Sequence, residues 1–125
     1  MKVFEKHEEY GNPILEKSFQ FAVRIVKFYL NRIKESYELR DLLRQLMRSG
    51  TSIGANVAES QEAASRKDFV NKLSIALKEA RETEYWLKVF EKSSVISEKE
   101  FASLFNDCDE IIRLLVSILK KLKEN

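Results

Sequence analysis

The sequence predicts an all-α protein, an antiparallel up-down-up-down four-helix bundle. Three observations carry that reading. Apolar residues recur at three- and four-residue steps along four separate stretches. The 125 residues include 3 Gly and 1 Pro, too few for the turns of a many-stranded sheet. Two sites place a Ser three residues ahead of an acid at the head of an apolar run, the pattern of a helix-capping box. Hydrophobic residues at 44% and charged residues at 34% fit a helix-rich globular chain, and the length suits one domain.

The elements follow in order. Residues 1–11 are polar and read as a flexible N-terminal arm, leaving residues 12–125 for the bundle domain. Asn12-Pro13 reads as an N-cap with Pro at the first helical position. From there Leu15, Phe19, Ala22, Val26, Leu30 and Ile33 form the expected core stripe of a first helix. A second helix is expected from about Glu38, with Leu39, Leu42, Leu43, Leu46, Gly50, Ile53 and Val57 as its stripe. Two interior glycines would cost an isolated helix about 1 kcal/mol each. The apolar register nevertheless runs through Gly50 and Gly54, which predicts one helix with a flat place for a neighbouring backbone. Ser65 with Asp68 caps a third helix reaching about Glu91, with Phe69, Leu73, Ala76, Leu77, Ala80 and Leu87 inward. Ser97 with Glu100 caps a fourth, whose Phe101, Leu104, Phe105, Cys108, Ile111, Ile112, Leu115, Ile118, Leu119 and Leu122 fill one arc. Connections of a few residues favour antiparallel neighbours.

Some apolar residues fall outside these stripes. Phe21, Ile25 and Phe28 lie to one side of the expected core on the first helix. On the third, Ile75 and Trp86 lie off the core, with Phe90 at its border. A monomer rarely exposes such area, so these residues are expected to meet a second subunit or a partner, or else to lie under helix splay or the N-terminal arm. On that reading a charge at position 25 breaks assembly.

The second helix carries Arg40, Arg44 and Arg48 along one face, continued by Ser52, Ala55 and Glu59, with Gln45, Ser49 and Asn56 alongside. Three readings are open: a solvated charged face, a subunit contact in which Arg48 and Glu59 pair across the boundary, or a phosphate-binding stripe. Lys120, Lys121 and Lys123 would extend the last of these. Glu84 falls on the core side of the third helix and either finds a donor, with Asn56, Ser49 or another chain's Arg as candidates, or curls out to the bundle edge.

Chemistry is sparse. The single His, His7, cannot build a di-metal bundle site, and no Gly-rich phosphate loop is present. The single Cys, Cys108, reads as a buried apolar side chain, and one Cys excludes an internal disulfide and fits a reducing cytoplasm. No apolar run would cross a bilayer. The net charge of 22 − 20 = +2 does not by itself argue for nucleic acid. The expectation is a cytoplasmic protein that is not an enzyme, with no cofactor, no metal, no small-molecule substrate and no membrane partner.

The segment running Gln45, Leu46, Met47, Arg48, Ser49, Gly50, Thr51, Ser52, Ile53, Gly54, Ala55, Asn56, Val57, Ala58, Glu59 resembles the signature of the four helix bundle protein family. That family is also called the 23S rRNA-intervening-sequence or S23 ribosomal protein family. Its pattern is close to Q-L-x-R-S-x-x-S-I-x-x-N-I-A-E-G. A second block, Arg66, Lys67, Asp68 and Phe69, then Leu73 to Ala76, then Glu82 and Glu84, is similar as well. Two places depart from it: Ser60 stands where the usual Gly follows the Glu, and Lys78-Glu79 where Gly-Ser is common. The resemblance, spanning roughly residues 12 to 122, implies a homopentameric ring of four-helix bundles. Some members are encoded within intervening sequences of bacterial 23S rRNA genes. A related accessory protein of diversity-generating retroelements is a basic pentamer that binds a reverse transcriptase and nucleic acid. The sequence thus predicts a self-assembling scaffold or interaction protein, with an RNA- or DNA-binding accessory protein as the alternative.

Overall fold

Four helices follow one another with short connections, as the periodicity predicts. A computed structural model describes residues 2–124, with side chains described from Pro13 onward. The helices are α1 (Lys2–Glu35), α2 (Arg40–Ser60), α3 (Arg66–Lys92) and α4 (Glu98–Lys123). A single 3-10 turn, Tyr37–Leu39, joins the first two. The start of α1 differs from expectation: the helix runs from Lys2 through Pro13 instead of beginning beside it. A proline inside a helix forfeits one hydrogen bond, and the helix resumes beyond it. The side chains of the expected arm, residues 1–11, lie outside the described residues.

Cross-links between neighbouring helices establish the up-down-up-down order. A Cβ on Gly50 would meet the Ile25 side chain at 3.1 Å, and one on Gly54 would meet the Ser18 carbonyl oxygen at 3.0 Å. These contacts run α1 and α2 antiparallel at close approach. The expected flat place on α2 exists, and its neighbour is α1 of the same chain. Thr83 Oγ1 donates to Ser49 Oγ at 2.9 Å, binding α2 to α3. The Cys108 thiol donates to the Ala80 carbonyl at 3.3 Å, binding α3 to α4. Between α1 and α4, Lys17 pairs with Glu110 at 3.1 Å, Arg24 with Asp107 and Arg32 with Glu100. In each of these three pairs α1 supplies the cation and α4 the acid.

The caps form where the sequence marks them. Ser65 accepts from the Asp68 backbone N–H. Ser97 and Glu100 make the complete reciprocal box, at 3.0 and 2.9 Å. The end of α3 was not marked. There Ser94 takes φ 62°, the Val95 N–H donates to the Phe90 carbonyl at 2.8 Å, and the Ser94 N–H donates to Glu91 at 3.1 Å. That pair of bonds is a Schellman stop with a serine at the left-handed position that glycine usually fills. Despite Ser60 replacing the family's usual Gly, α2 closes without a positive φ: the Ser60 hydroxyl donates to the Val57 carbonyl at 2.6 Å.

Candidate assembly faces

The two apolar faces of α1 decide where the molecule can meet a partner, and their assignment reverses the sequence expectation. Ile14, Ser18, Phe21, Ile25 and Tyr29 point into the core, with Phe21 at 2% and Ile25 at 0% exposure. Phe28 is half-buried against that core. Of the residues expected inside, Phe19 is 66% exposed, Val26 36% and Leu30 49%, with Val23 at 38% beside them, while Leu15 and Ile33 pack against the core. Phe90, expected at a border, is wholly buried within α3's core stripe. Phe21, Ile25 and Phe90 are therefore corrected from surface to core. The physical reason is the contact with α2. On the inner face the small Ser18 lets the α1 backbone come within reach of Gly54.

The outward stripe has a definite register. Phe19, Val23, Val26 and Leu30 step by four, three and four, the spacing of a coiled-coil seam. Ala22, Val23, Val26 and Lys27 line a shallow open depression in its middle. Lys27 and Lys34 flank it, exposed and without an acidic partner among the described residues.

A second stripe with the same spacing lies on the outside of α3: Ile75, Glu79, Glu82 and Trp86. Ile75 and Trp86 are both half-buried; Ile75 stays off the core as expected, whereas Trp86 packs partly against it. The Trp86 indole N–H donates to Glu82 Oε2 at 3.2 Å, its ring stacks on Phe90 at 5.8 Å, and the exposed Tyr85 meets it edge-on. Arg48 reaches this stripe from α2, binding Glu82 and lying 3.5 Å from Glu79 Oε2. The Glu82 hydrogen bond holds the Arg48 guanidinium above its ordinary pKa. Burial pushes the Glu82 carboxyl up, but hydrogen bonds from Trp86 and Arg48 outweigh it and leave the group below the usual carboxylate value. The other oxygen of Glu79, Oε1, is buried and has no hydrogen-bond donor among the described residues. Two carboxylates thus share one guanidinium.

The remaining expected interface residues bind within their own chain. Ser52 donates to the Arg48 carbonyl at 2.6 Å and Asn56 to the Ser52 carbonyl at 2.9 Å. Glu59 pairs with Lys72 at 3.0 Å, so within the chain Arg48 and Glu59 each take part in a separate α2–α3 bridge. The Glu59 hydrogen bond raises the Lys72 pKa. Glu84 stands 3.8 Å from Lys88, one turn on, and Thr83 takes the buried place beside Ser49 instead. Burial pushes the Cys108 thiol up to about 12, which keeps it unreactive near neutral pH.

The six residues expected to meet phosphate do not form one surface. Arg40 pairs with Asp41 at 3.3 Å and lies over the Tyr37 ring, and Arg44 stands 3.8 Å from the same Asp41. Arg48 is held by Glu79 and Glu82. Lys120, Lys121 and Lys123 sit on the last turn of α4, beside the start of α3, where Arg66 donates to the Leu122 carbonyl. Arg40 and Arg44 sit at the opposite end of the bundle, a separation on the order of 30 Å at 1.5 Å per helical residue. Among the described residues no group of three or more His, Cys, Asp and Glu could hold a metal, and no helix is long and apolar enough to cross a membrane.

The model of the 23S rRNA-intervening sequence protein family matches residues 12–117. The chain belongs to that family. A crystal structure of a protein of unknown function from the S23 ribosomal protein family of Bacteroides thetaiotaomicron is 49% identical. The match covers 89% of this chain and 98% of that one, with a TM-score of 0.84. No curated protein matches. The resemblance seen in the sequence is thus upheld, and the four-helix all-α fold with it. In this member of the 23S rRNA-intervening sequence protein family, much of the signature on α2 serves the α2–α3 contact: Arg48, Ser49, Ile53 and Glu59 each bind or pack within the chain.

The sequence reading missed the outer seam as a surface, although a signal was available. Lys17, Arg24 and Arg32 lie on the side of α1 that holds Phe21 and Ile25, and Glu110, Asp107 and Glu100 run in the opposite order on α4. Matching charges across two helices in antiparallel register would have marked that side as the inner one.

Proposed function

We propose that this chain is a non-enzymatic interaction protein whose working form is an assembly of identical bundles. The observation that carries the reading is the seam of Phe19, Val23, Val26 and Leu30, four large apolar side chains left on the outside of a helix whose other face is already in the core. Hiding them is worth on the order of 5 kcal/mol at roughly 25 cal/mol per Å². Association itself costs about 4–15 kcal/mol, so the seam supplies the driving force only with further contacts around it. Self-association provides those contacts at the concentration of the chain itself. The family resemblance favours a closed ring of five copies and a scaffolding role. Sedimentation at micromolar concentration tests the reading: a multiple of the chain mass is expected, and a stable single-chain particle overturns it.

A second reading, nucleic-acid binding, draws on the lysines at one end of α4, which stand near Lys67 and gather in multiple copies in any ring. It requires affinity for RNA that falls steeply with salt and is lost on changing Lys120, Lys121 and Lys123 to Glu.

A further inference from the structure

We propose that the α1 seam of one copy docks against the outer α2–α3 stripe of the next, with Lys27 of the first completing the cluster of Arg48, Glu79 and Glu82 on the second. The proposal rests on the self-assembly reading and adds the partner surface. Three features of the molecule lead to it.

The first is charge. If two α1 seams packed on each other about a two-fold axis, Lys27 near the middle of one seam would lie beside Lys27 of the other. Like charges brought together at an interface are unfavourable, and both lysines lack an acid to offset them. The α3 stripe offers carboxylates instead: Glu79 and Glu82 share the Arg48 guanidinium, with Lys78 the other cation near Glu82.

The second is an unmet hydrogen bond. Glu79 Oε1 is buried without a donor among the described residues, and such an oxygen is costly to leave unpaired. Arg48 is half-exposed and divided between two acids. A second cation at the exposed rim, taking over Glu82, lets Arg48 turn fully onto Glu79. The cluster is therefore incomplete within one chain.

The third is shape. Phe19 to Leu30 and Ile75 to Trp86 each span eleven residues, about 17 Å of helix, at identical spacing. Ile75 and Trp86 provide apolar ends for the seam's Phe19 and Leu30. The small Ser52, Ala55 and Asn56 beside Arg48 leave room for an approaching helix. Because the two faces lie on different helices, the contact is head-to-tail, and repetition closes a ring when the rotation allows.

The test uses two full-length variants, Val26→Asp to break the seam and Ile75→Asp to break the stripe. Neither position is in the core, so circular dichroism is expected to show both folded. In sedimentation each alone is expected as a single chain. Mixed, they form one-to-one dimers and nothing larger, because each keeps the half that the other lacks. If Ile75→Asp assembles like wild type, the docking face is wrong while self-assembly stands. If both are single chains and the mixture stays so, the head-to-tail pairing is wrong. A single-chain wild type overturns this proposal together with the reading beneath it. Lys27→Glu, at an exposed position, is expected to weaken assembly about tenfold, and adding Glu82→Lys in the same chain to recover part of that loss. An unchanged Lys27→Glu assembly removes Lys27 from the cluster.

Discussion

Helices α1 and α4 are of similar apolar content and opposite legibility. In α4 the apolar residues occupy one arc, and the residues buried in the structure, Leu104, Cys108, Ile111, Ile112, Leu115, Ile118, Leu119 and Leu122, all belong to the predicted stripe. In α1 apolar residues occupy two arcs, and of the one that reads as the core Phe19, Val26 and Leu30 face out while Leu15 and Ile33 pack against the core. A helical period assigns residues to a common face. It does not say which of two apolar faces is turned inward, and that choice depends on the neighbour.

Adjacent residues of α1 provide the sharpest way to break this comparison. Ile25→Asp places a carboxylate at a fully buried position beside Gly50, where it is expected to cost more than about 4 kcal/mol and abolish cooperative thermal unfolding. Val26→Asp, one residue on, is expected to change the stability of the dissociated chain by less than about 0.5 kcal/mol. Equal effects at both positions would mean that α1 has not been oriented correctly. The expectation from sequence, that charge at position 25 breaks assembly, is thereby reassigned to position 26.

A comparison across helices is next in size. Leu115→Ala in α4 is expected to lose about 3 kcal/mol in urea titration, whereas Leu30→Ala in the seam loses about 0.5 kcal/mol or less under dissociating conditions. Gly54→Val tests the contact that orients α1. Its Cβ would meet backbone at 3.0 Å, which cannot move aside as a side chain can, so a loss of about 2 kcal/mol is expected despite the better helix propensity of a residue with a side chain.

The electrostatic bond between the two helices gives a pH prediction. Burial pushes the Glu100 carboxyl up, but the Ser97 backbone N–H and the Arg32 charge outweigh it, and the group sits below its ordinary value of 4.5. A carboxylate with a depressed folded pKa stabilises the fold above the unfolded value, and that contribution fades as pH falls through the folded one. Acid unfolding below about pH 4.5 is therefore expected to begin later in Glu100→Gln, measured relative to its own stability at pH 7. A gain is expected at the end of α3. Ser94→Gly relieves a left-handed φ of 62° and is expected to gain about 0.5–1 kcal/mol.

The candidate site was legible to a different degree on each helix. Ile75 reads as off-core from α3 alone and remains there, while Trp86, read the same way, leans partly onto the core beside Phe90. Of the polar residues of α2 expected along one face, Ser49 is instead buried against Thr83. The partners of Arg48 and Glu59 were not found, because Glu79, Glu82 and Lys72 lie some thirty positions or a full loop away, and nothing local couples them. The phosphate stripe looked continuous for the same reason: residues at its two ends belong to opposite ends of a bundle whose length a sequence does not display.

Local chemistry, written in the sequence, determined the helices, the caps at Ser65 and Ser97, the passage of α2 through its glycines and the family signature. Each of these depends on residues within a few positions of one another. Tertiary structure decided which face of α1 is the inside and therefore which surface is left to meet a partner. That decision came from the fit of Ser18 against Gly54 and from three ion pairs to α4, contacts between residues far apart in the chain that helical periodicity cannot rank.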